Sequence, residues 1–497
     1  MEDTIKGTAI SNPDIRQLSP EAMWNNFADL NSIPRASKKE ALVIKFIQDF
    51  GKKLGLPVNT DSVGNVIIKK PASKGMENRV TVALQSHLDM VHQKNADSNF
   101  DFNTEGIKMY IEGDWVKAEG TTLGADNGIG VASIMTLLAS NDIAHPPLEA
   151  LFTIDEETGM TGALGLRGGL LDAKILLNLD TEEDNELTIG CAGGIDVTIN
   201  GKYVSVPPAQ GTIAFKVQLK GLTGGHSGMD IHKGRANANK IMNRFFREAC
   251  TEHDLQVHSV DGGSLRNAIP RESVSVVVLP DDQKASFFNF VSQFEKTIKD
   301  EYRSTDPSMQ IIATTVPVPE NVLDLRSQTQ LVNSNYACPN GIYRMSPDIP
   351  GLVQTSNNLA RVLIKDGEYS VLCLTRSSIN SEKMDEANAI RSVFELVGGD
   401  VSFGGAYPGW AARPDTSIVK LMTEIYKELF EAAPKVNAVH AGLECGILGT
   451  NYPDIEMISF GPNIHGAHSP DEKVQVSSVN KFWKYLLETL KRIPEAK

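Results

Sequence analysis

The sequence has no apolar run as long as a bilayer crossing requires, which excludes a spanning helix. It opens Met1-Glu2-Asp3-Thr4-Ile5-Lys6, without the basic start and apolar stretch of a secretory signal, so a cytoplasmic chain with no membrane partner is expected. Cysteine is scarce as well. The five, at positions 191, 250, 338, 373 and 445, contain no C-x-x-C pair and are odd in number, which argues against a thiolate zinc site or a disulfide framework and for buried, reduced thiols. Basic residues are in deficit. The 48 Lys and Arg face 62 Asp and Glu, and the resulting net charge of -14 repels nucleic acid and anionic lipid. Small-molecule chemistry is left as the natural field.

What is present is ample. A chain of 497 residues, 41% hydrophobic and 22% charged, exceeds what one core usually supports, so two domains or one domain with a large insertion are expected. Ser37 followed by Glu40 reads as a capping box opening an amphipathic helix through Val43, Phe46, Ile47, Phe50 and Leu54, which Gly55 and Pro57 stop. Apolar β-rich runs at 80–86, 148–154 and 175–179 alternate with a helical pattern at 128–139, as in an α/β fold with a mixed, mainly parallel sheet flanked by helices. From 194 the texture shifts to an α+β pattern: strand-like 211–219, helical 235–252, strand-like 273–279, helical 357–364, strand-like 369–374 and helical 381–396. A helix at 417–430, a strand at 455–460 and a helix at 479–490 then resume the first pattern. The expected organisation is a catalytic domain in two parts, 1–193 and 405–497, around an inserted lid domain, 194–404, with Tyr407-Pro408-Gly409 near a crossing point.

Three of the apolar runs end on groups that bind metals or move protons: His87-Leu88-Asp89, Asp155-Glu156-Glu157 and Asp180. In open α/β sheets ligands bind beyond the carboxyl ends of the strands, so these residues can converge although they are far apart in sequence. Gly124-Ala125-Asp126-Asn127-Gly128 sets an acid just ahead of a helix, and the last strand runs into a loop carrying His465 and His468. Imidazole mixed with carboxylate suits zinc, cobalt or manganese, whereas calcium favours oxygen alone. Each residue also has an ordinary reading, as a hydrogen-bonded histidine, an N-cap or a solvated turn; the set is stronger than its members.

In order, Ser86-His87-Leu88-Asp89, Gly124-Ala125-Asp126-Asn127-Gly128, Asp155-Glu156-Glu157-Thr158-Gly159, Asn178-Leu179-Asp180 and His468-Ser469-Pro470-Asp471-Glu472 resemble the motifs of the aminoacylase and carboxypeptidase-type di-zinc metallopeptidase family. Within it the chain is similar to the aminoacyl-histidine dipeptidase branch, and the motifs span residues 86–472. The resemblance implies two divalent metal ions, zinc first and cobalt or manganese as alternatives, bridged by Asp126. His87 and Asp180 would complete one metal, and Glu157 and His468 the other. It makes Glu156 the general base, and Asp89, two residues after His87, lies where a carboxylate can orient that imidazole. From the inserted domain, His226 in Gly224-Gly225-His226-Ser227-Gly228 would polarise the scissile carbonyl, reaching from the neighbouring subunit of a homodimer. That glycine-rich turn lacks the Lys-Ser or Lys-Thr of a phosphate loop, so nucleotide is not expected. Asn267 and Arg376 resemble positions that hold the substrate carbonyl and its free carboxylate, and Glu444 is assigned the α-ammonium; His440 and His465 receive no role. The implied activity is hydrolysis of unblocked dipeptides, including Xaa-His. The rivals are a deacylase, carboxypeptidase or tripeptidase of the same fold and, from another class, a silent peptide- or metal-binding protein.

Overall fold

A computed structural model describes residues 13–496. The opening Met1 to Lys6, read above for export signals, lies outside the described residues. The chain forms two compact units: one comprises residues up to Gly190, Ala412–Ala438 and Leu443 onward, the other Cys191–Ala411 and Val439–Gly442. The changeovers fall at 190/191 and 411/412, and a four-residue return at Val439–Gly442 leaves no mark in the sequence texture.

The first unit is built on an eight-stranded sheet in the order Val58–Thr60, Val66–Lys70, Leu148–Thr153, Val82–His87, Ile175–Asn178, Glu456–Ser459, Glu186–Cys191, Lys435–Val439. The neighbours among Leu148–Thr153, Val82–His87, Ile175–Asn178 and Glu456–Ser459 are parallel, and antiparallel strands flank them. Every residue of Val82–His87 and Leu148–Thr153 is buried, because helices cover both faces of a parallel sheet and no polar alternation is needed. Register pairs His87 with Thr153 and Gln85 with Asn178, so these strands reach their carboxyl ends together. A small four-stranded sheet, Ile464–His465, Lys473–Gln475, Trp115–Ala118 and Met109–Glu112, anchors both ends of the loop that carries His468. No helix among the described residues is long and apolar enough to cross a membrane.

Two local expectations change at the amino end. The helix Glu21–Asn31 precedes the one read as the first. The next helix is Ala41–Lys53 with Glu40 at its N-cap, and the Ser37 hydroxyl turns away from it to donate to Asp89 Oδ2 at 2.8 Å. Ser37 therefore serves the site and not a capping box.

The second unit holds a nine-stranded antiparallel sheet, in which Val353–Lys365 pairs with Gln256–Gly263, Gly341–Met345 and Glu368–Ser377. Strand Thr212–Lys220 shows the expected alternation, with Phe215, Val217 and Leu219 inward and Lys216 exposed. Phe245, Phe287, Phe290 and Phe294 of the helices Ala238–Glu252 and Lys284–Glu301 join the same core; full burial of each such ring contributes about 1.5–3 kcal/mol. The run 357–364, expected to be helical, lies inside the strand Val353–Lys365. The first eight residues of that strand, 353–360, are all buried, which erases the period-2 signal, and Asn357 and Asn358 stay inside by donating to Pro339 O and Ala268 O. Four cysteines are buried, but Cys250 is exposed, contrary to the expectation for the set.

Candidate metal centre

At the carboxyl end of its strand, the His87 ring is fixed from both sides. Nδ1 lies 3.1 Å from the Asp89 carbonyl oxygen and 3.4 Å from its Oδ1, while Nε2 faces Asp126 Oδ1 at 3.1 Å and Asp180 Oδ1 at 3.4 Å. Asp180 follows the strand Ile175–Asn178, and the Asn127 side-chain amide donates to it and to Leu179 O. On the other side, His468 Nε2 lies 3.3 Å from Asp126 Oδ2 and 2.9 Å from Glu157 Oε2. Asp126 thus offers one oxygen to each histidine, and each histidine has a second carboxylate of its own.

Backbone geometry concentrates here. Asp126 and Asn127 depart from helical dihedrals at the start of Ala125–Ala139, and the peptide between them is cis. Lys38, Asp155 and His468 adopt left-handed φ of 69°, 55° and 66°, a cost that residues other than glycine bear mainly where surrounding contacts hold them. Lys38 pairs with Asp155, which also accepts from Thr158 and Thr161, so the turn carrying Glu156 and Glu157 is tied from beneath. Gly124 is required twice over, since φ is 70° and a Cβ would run into the Arg35 guanidinium and the Met90 sulfur.

Asp89 is fully buried and links the parts. Its Oδ1 accepts from the Glu156 N–H at 3.0 Å, and its Oδ2 accepts from the Glu157 N–H at 3.3 Å besides Ser37. The carboxylate that contacts the His87 ring therefore also positions both glutamates.

The electrostatics are those of a cation site. Burial would lower the His87 pKa, but Asp180, Asp126 and Asp89 outweigh it and raise it well above the ordinary value. Hydrogen bonds to Asp126 and Glu157 push His468 to about 11. Burial would raise Asp126, yet His468 and His87 hold it below the usual carboxylate range. Burial, with Asp180, Glu157 and Glu444 adding negative charge, lifts Glu156 well above its ordinary value. The donors His87, Asp126 and Asp180 lie within 4.8 Å of one another, as do Asp126, Glu157 and His468. Two nitrogen-and-carboxylate trios sharing one acid, in a pocket that draws positive charge onto both imidazoles, fit a pair of divalent cations.

Three residues that sequence reasoning passed over belong to the surroundings. Glu182, beside Asp180, is pushed up to about 8 by burial and by Asp126 and Asp180. Arg35 is buried and donates to the carbonyls of Leu88, Asp89 and Gly124. Glu472 accepts from the backbone of Leu123 through Asp126. The only sequence signal for Glu472 is its place at the end of the His468 motif; Arg35 has none. Glu444, expected to meet the substrate's α-ammonium, lies inside the first unit. Its side chain is fully buried, Oε2 accepts from Gln85 Nε2 at 2.6 Å and Thr153 Oγ1 at 2.7 Å, and burial lifts the carboxyl to about 8. Its Oε1 is buried without a hydrogen-bond partner among the described residues, which leaves an oxygen for the expected α-ammonium contact.

In the second unit His226, Asn267 and Arg376 gather around Ser227. The Ser227 N–H donates to Asn267 O at 2.8 Å, and Arg376 Nε donates to Ser227 Oγ at 3.3 Å while its Nη1 donates to Tyr407 Oη at 2.8 Å. Arg376 is only 4% exposed, and among the described residues no ion pair involves it, which rules out a surface salt bridge as its purpose. Burial, then Arg376, lowers the His226 pKa. Its Nδ1 accepts from the Gly228 and Met229 N–H groups, which leaves the neutral ring's proton on Nε2 as a donor. His440 donates to or accepts from Ser356 Oγ at 2.7 Å and is buried; the His465 ring lies tilted by 39° against Trp115, centroids 4.9 Å apart.

Residues 83–492 match the sequence pattern of peptidase family M20/M25/M40. The cytosol non-specific dipeptidase of Escherichia coli (strain K12) is 43% identical over 481 residues, covering 97% of this chain and 99% of that protein. The crystal structure of aminoacylhistidine dipeptidase from Vibrio alginolyticus superposes with a TM-score of 0.92 at 43% identity, over 97% of this chain and 99% of that one. A tripeptidase from Staphylococcus aureus subsp. aureus Mu50, at 16% identity and a TM-score of 0.55 over 96% of this chain and 99% of that one, shares the fold.

Proposed function

Because the chain belongs to peptidase family M20/M25/M40, we propose that it is a metallo-dipeptidase hydrolysing unblocked dipeptides, those with C-terminal histidine included. The observation that carries this reading is the division of Asp126, one oxygen toward His87 and the other toward His468. Asp126 would be shared by two divalent cations, with His87 and Asp180 on one and Glu157 and His468 on the other; zinc is the first choice, and cobalt and manganese suit the same donors. When bound, such a pair supplies Lewis acidity to the peptide carbonyl and makes water a nucleophile near neutral pH.

The remaining work falls to side chains. Glu156 takes a proton from the attacking water and returns it to the leaving amine, a task for a carboxylate held beside the metal ligands by the bond from its backbone N–H to Asp89. Asp89 holds the His87 ring and the Glu156 backbone in one frame. In the second unit the Arg376 guanidinium suits the free carboxylate of a dipeptide, the Nε2–H of neutral His226 suits its scissile carbonyl, and Asn267 adds an amide beside them. We infer a cytosolic homodimer, the location from the name of the Escherichia coli relative and the pairing from the family resemblance.

The test pairs chemistry with substrate range. Glu156→Ala should keep its metal content and lose turnover; near-normal activity would remove its proton-transfer role. A panel of matched dipeptides, tripeptides and N-acyl amino acids should favour the dipeptides, and preference for acylated or longer substrates would move the chain to another branch of the family.

A further inference from the structure

Glu472 points inward at the end of an otherwise accessible loop, and it is 2% exposed while Asp471 beside it is exposed. Its carboxylate is filled by backbone alone. Oε2 accepts from Leu123 N at 2.7 Å and Gly124 N at 2.9 Å, and Oε1 accepts from Ala125 N at 2.8 Å and Asp126 N at 3.2 Å. Four consecutive peptide N–H groups aimed at one anion make a nest, and bonds of this kind are stronger than neutral ones. The last of the four belongs to Asp126 itself.

The other end of this strut is His468, four residues earlier. Two successive short turns run through this stretch, Ser469 N to Gly466 O at 3.1 Å around His468 and Glu472 N to Ser469 O at 3.0 Å after it. Pairing of Ile464–His465 with Lys473–Gln475 clamps the loop at its base. Arg35 holds the opposite face of the same peptide segment: it donates to Gly124 O and, at 3.1 Å each, to the carbonyls of Leu88 and Asp89 that follow His87. The Asp126 loop is thus fixed to the His87 loop by Arg35 and to the His468 loop by Glu472.

We infer that Glu472 is a positioning residue that locks the His468 loop onto the Asp126 loop, and so holds together the Asp126, Glu157 and His468 half of the metal centre. This rests on the two-metal reading above. An amide in its place would offer one acceptor oxygen and turn an NH2 group toward peptide donors, so Glu472→Gln is the informative change. Glu472→Asp keeps the charge with a shorter reach.

The experiment titrates Zn2+ into metal-free full-length protein against a chromogenic chelator, with Co2+ absorption spectra and thermal midpoints measured with and without metal. Wild type should bind two ions. Glu472→Gln should keep one near wild-type affinity and bind the second roughly 10- to 100-fold more weakly, the usual consequence of losing a partner behind a ligand. Its Co2+ spectrum should change, and metal should raise its midpoint less than that of wild type. Binding of both ions at wild-type affinity with an unchanged spectrum, together with an equal fall in midpoint with and without metal, would overturn the inference and leave Glu472 a brace of the fold. Should Glu472→Gln fail to fold, Glu472→Asp decides: selective weakening of one ion supports the inference, and two wild-type sites overturn it. Fewer than two ions on wild type would sink the metal-centre reading itself, and this inference with it.

Discussion

The histidines gathered at the site in each unit are pushed in opposite directions. In the first, His468 rises to about 11 through Asp126 and Glu157, and His87 rises well above its ordinary value because Asp180, Asp126 and Asp89 overcome its burial. In the second, burial together with the charge of Arg376 pushes His440 down to about 3, and burial then Arg376 lowers His226. One residue type therefore reports two kinds of site. The first unit concentrates carboxylates and draws in cations; the second buries a cation, Arg376, among hydroxyls and neutral rings and suits an anion. Under the proposed function the first kind of site would take the metals and the second the free carboxylate of a dipeptide.

The largest test of this division removes Glu156, the proposed proton carrier of the carboxylate-rich unit, and leaves the proposed metal ligands in place. Glu156→Gln should lower kcat by about a hundred- to ten-thousand-fold, the range for a general acid–base group, while metal analysis still finds two ions. Chelation should silence wild type and lower its thermal midpoint, since whatever binds the folded state alone stabilises it. Loss of metal in step with activity in Glu156→Gln would make Glu156 a ligand and break the assignment.

Next comes the anion side. Arg376→Met should cost about 1.5–3 kcal/mol of binding to a carboxylate, or roughly 10- to 150-fold in kcat/KM for dipeptides. A dipeptide amide, which lacks the carboxylate, should show little difference between variant and wild type. Equal losses on both substrates would mean that Arg376 maintains the fold through Ser227 and Tyr407 and does not read the substrate.

The two units also differ in how far their sequence could be read. The first unit's site is legible because parallel strands make long apolar runs, and the residues at their ends, His87, Glu156 and Asp180, inherit a common rim from the register. What stays hidden there are side chains bonded to backbone. Arg35 and Glu472 hold loops through peptide groups, an arrangement that needs no particular residue at the other end and so leaves no spacing to detect. Glu444 is hidden in the same way: nothing in its sequence neighbourhood shows that Gln85 and Thr153 hold its Oε2. In the second unit the strand Val353–Lys365 reads as a helix because it is buried on both faces and pairs with three neighbours, so neither period governs its sequence.

A subtler distinction concerns pH. His440 has a folded pKa of about 3 against an ordinary 6.5, so above pH 6.5 it is neutral in both states and contributes no slope. Between 6.5 and about 3 the unfolded chain takes a proton that the folded chain refuses, and stability falls as pH falls, by at most about 1.4 kcal/mol per pH unit. Glu386 works the other way, because burial raises it to about 8: as pH climbs from 4.5 toward that value the unfolded state loses its proton first, and stability falls with rising pH. The two slopes oppose each other between 4.5 and 6.5, so the wild-type profile alone will not separate them. His440→Gln should flatten the loss of stability below pH 6.5 in denaturant titrations compared with wild type, whatever it does to the absolute level. An unchanged slope would mean that His440 takes up its proton in the folded state and that the second unit does not exclude positive charge.

The smallest expected effect tests the residue whose sequence reading and structural position disagree most. If Ser37 capped the helix Ala41–Lys53, Ser37→Ala would lower stability and leave catalysis alone. Its hydroxyl instead donates to Asp89 Oδ2, on the carboxylate that contacts His87 and receives the Glu156 and Glu157 N–H groups. Removing it costs a charge-assisted hydrogen bond of about 1.5 kcal/mol but leaves Asp89 two backbone donors, so kcat should fall only a few-fold. Ser37→Thr, which keeps the hydroxyl, should restore most of that loss if the added methyl is accommodated. A fall in thermal midpoint with kcat intact would return Ser37 to the helix, and Asp89 would then hold the frame of His87, Glu156 and Glu157 without it.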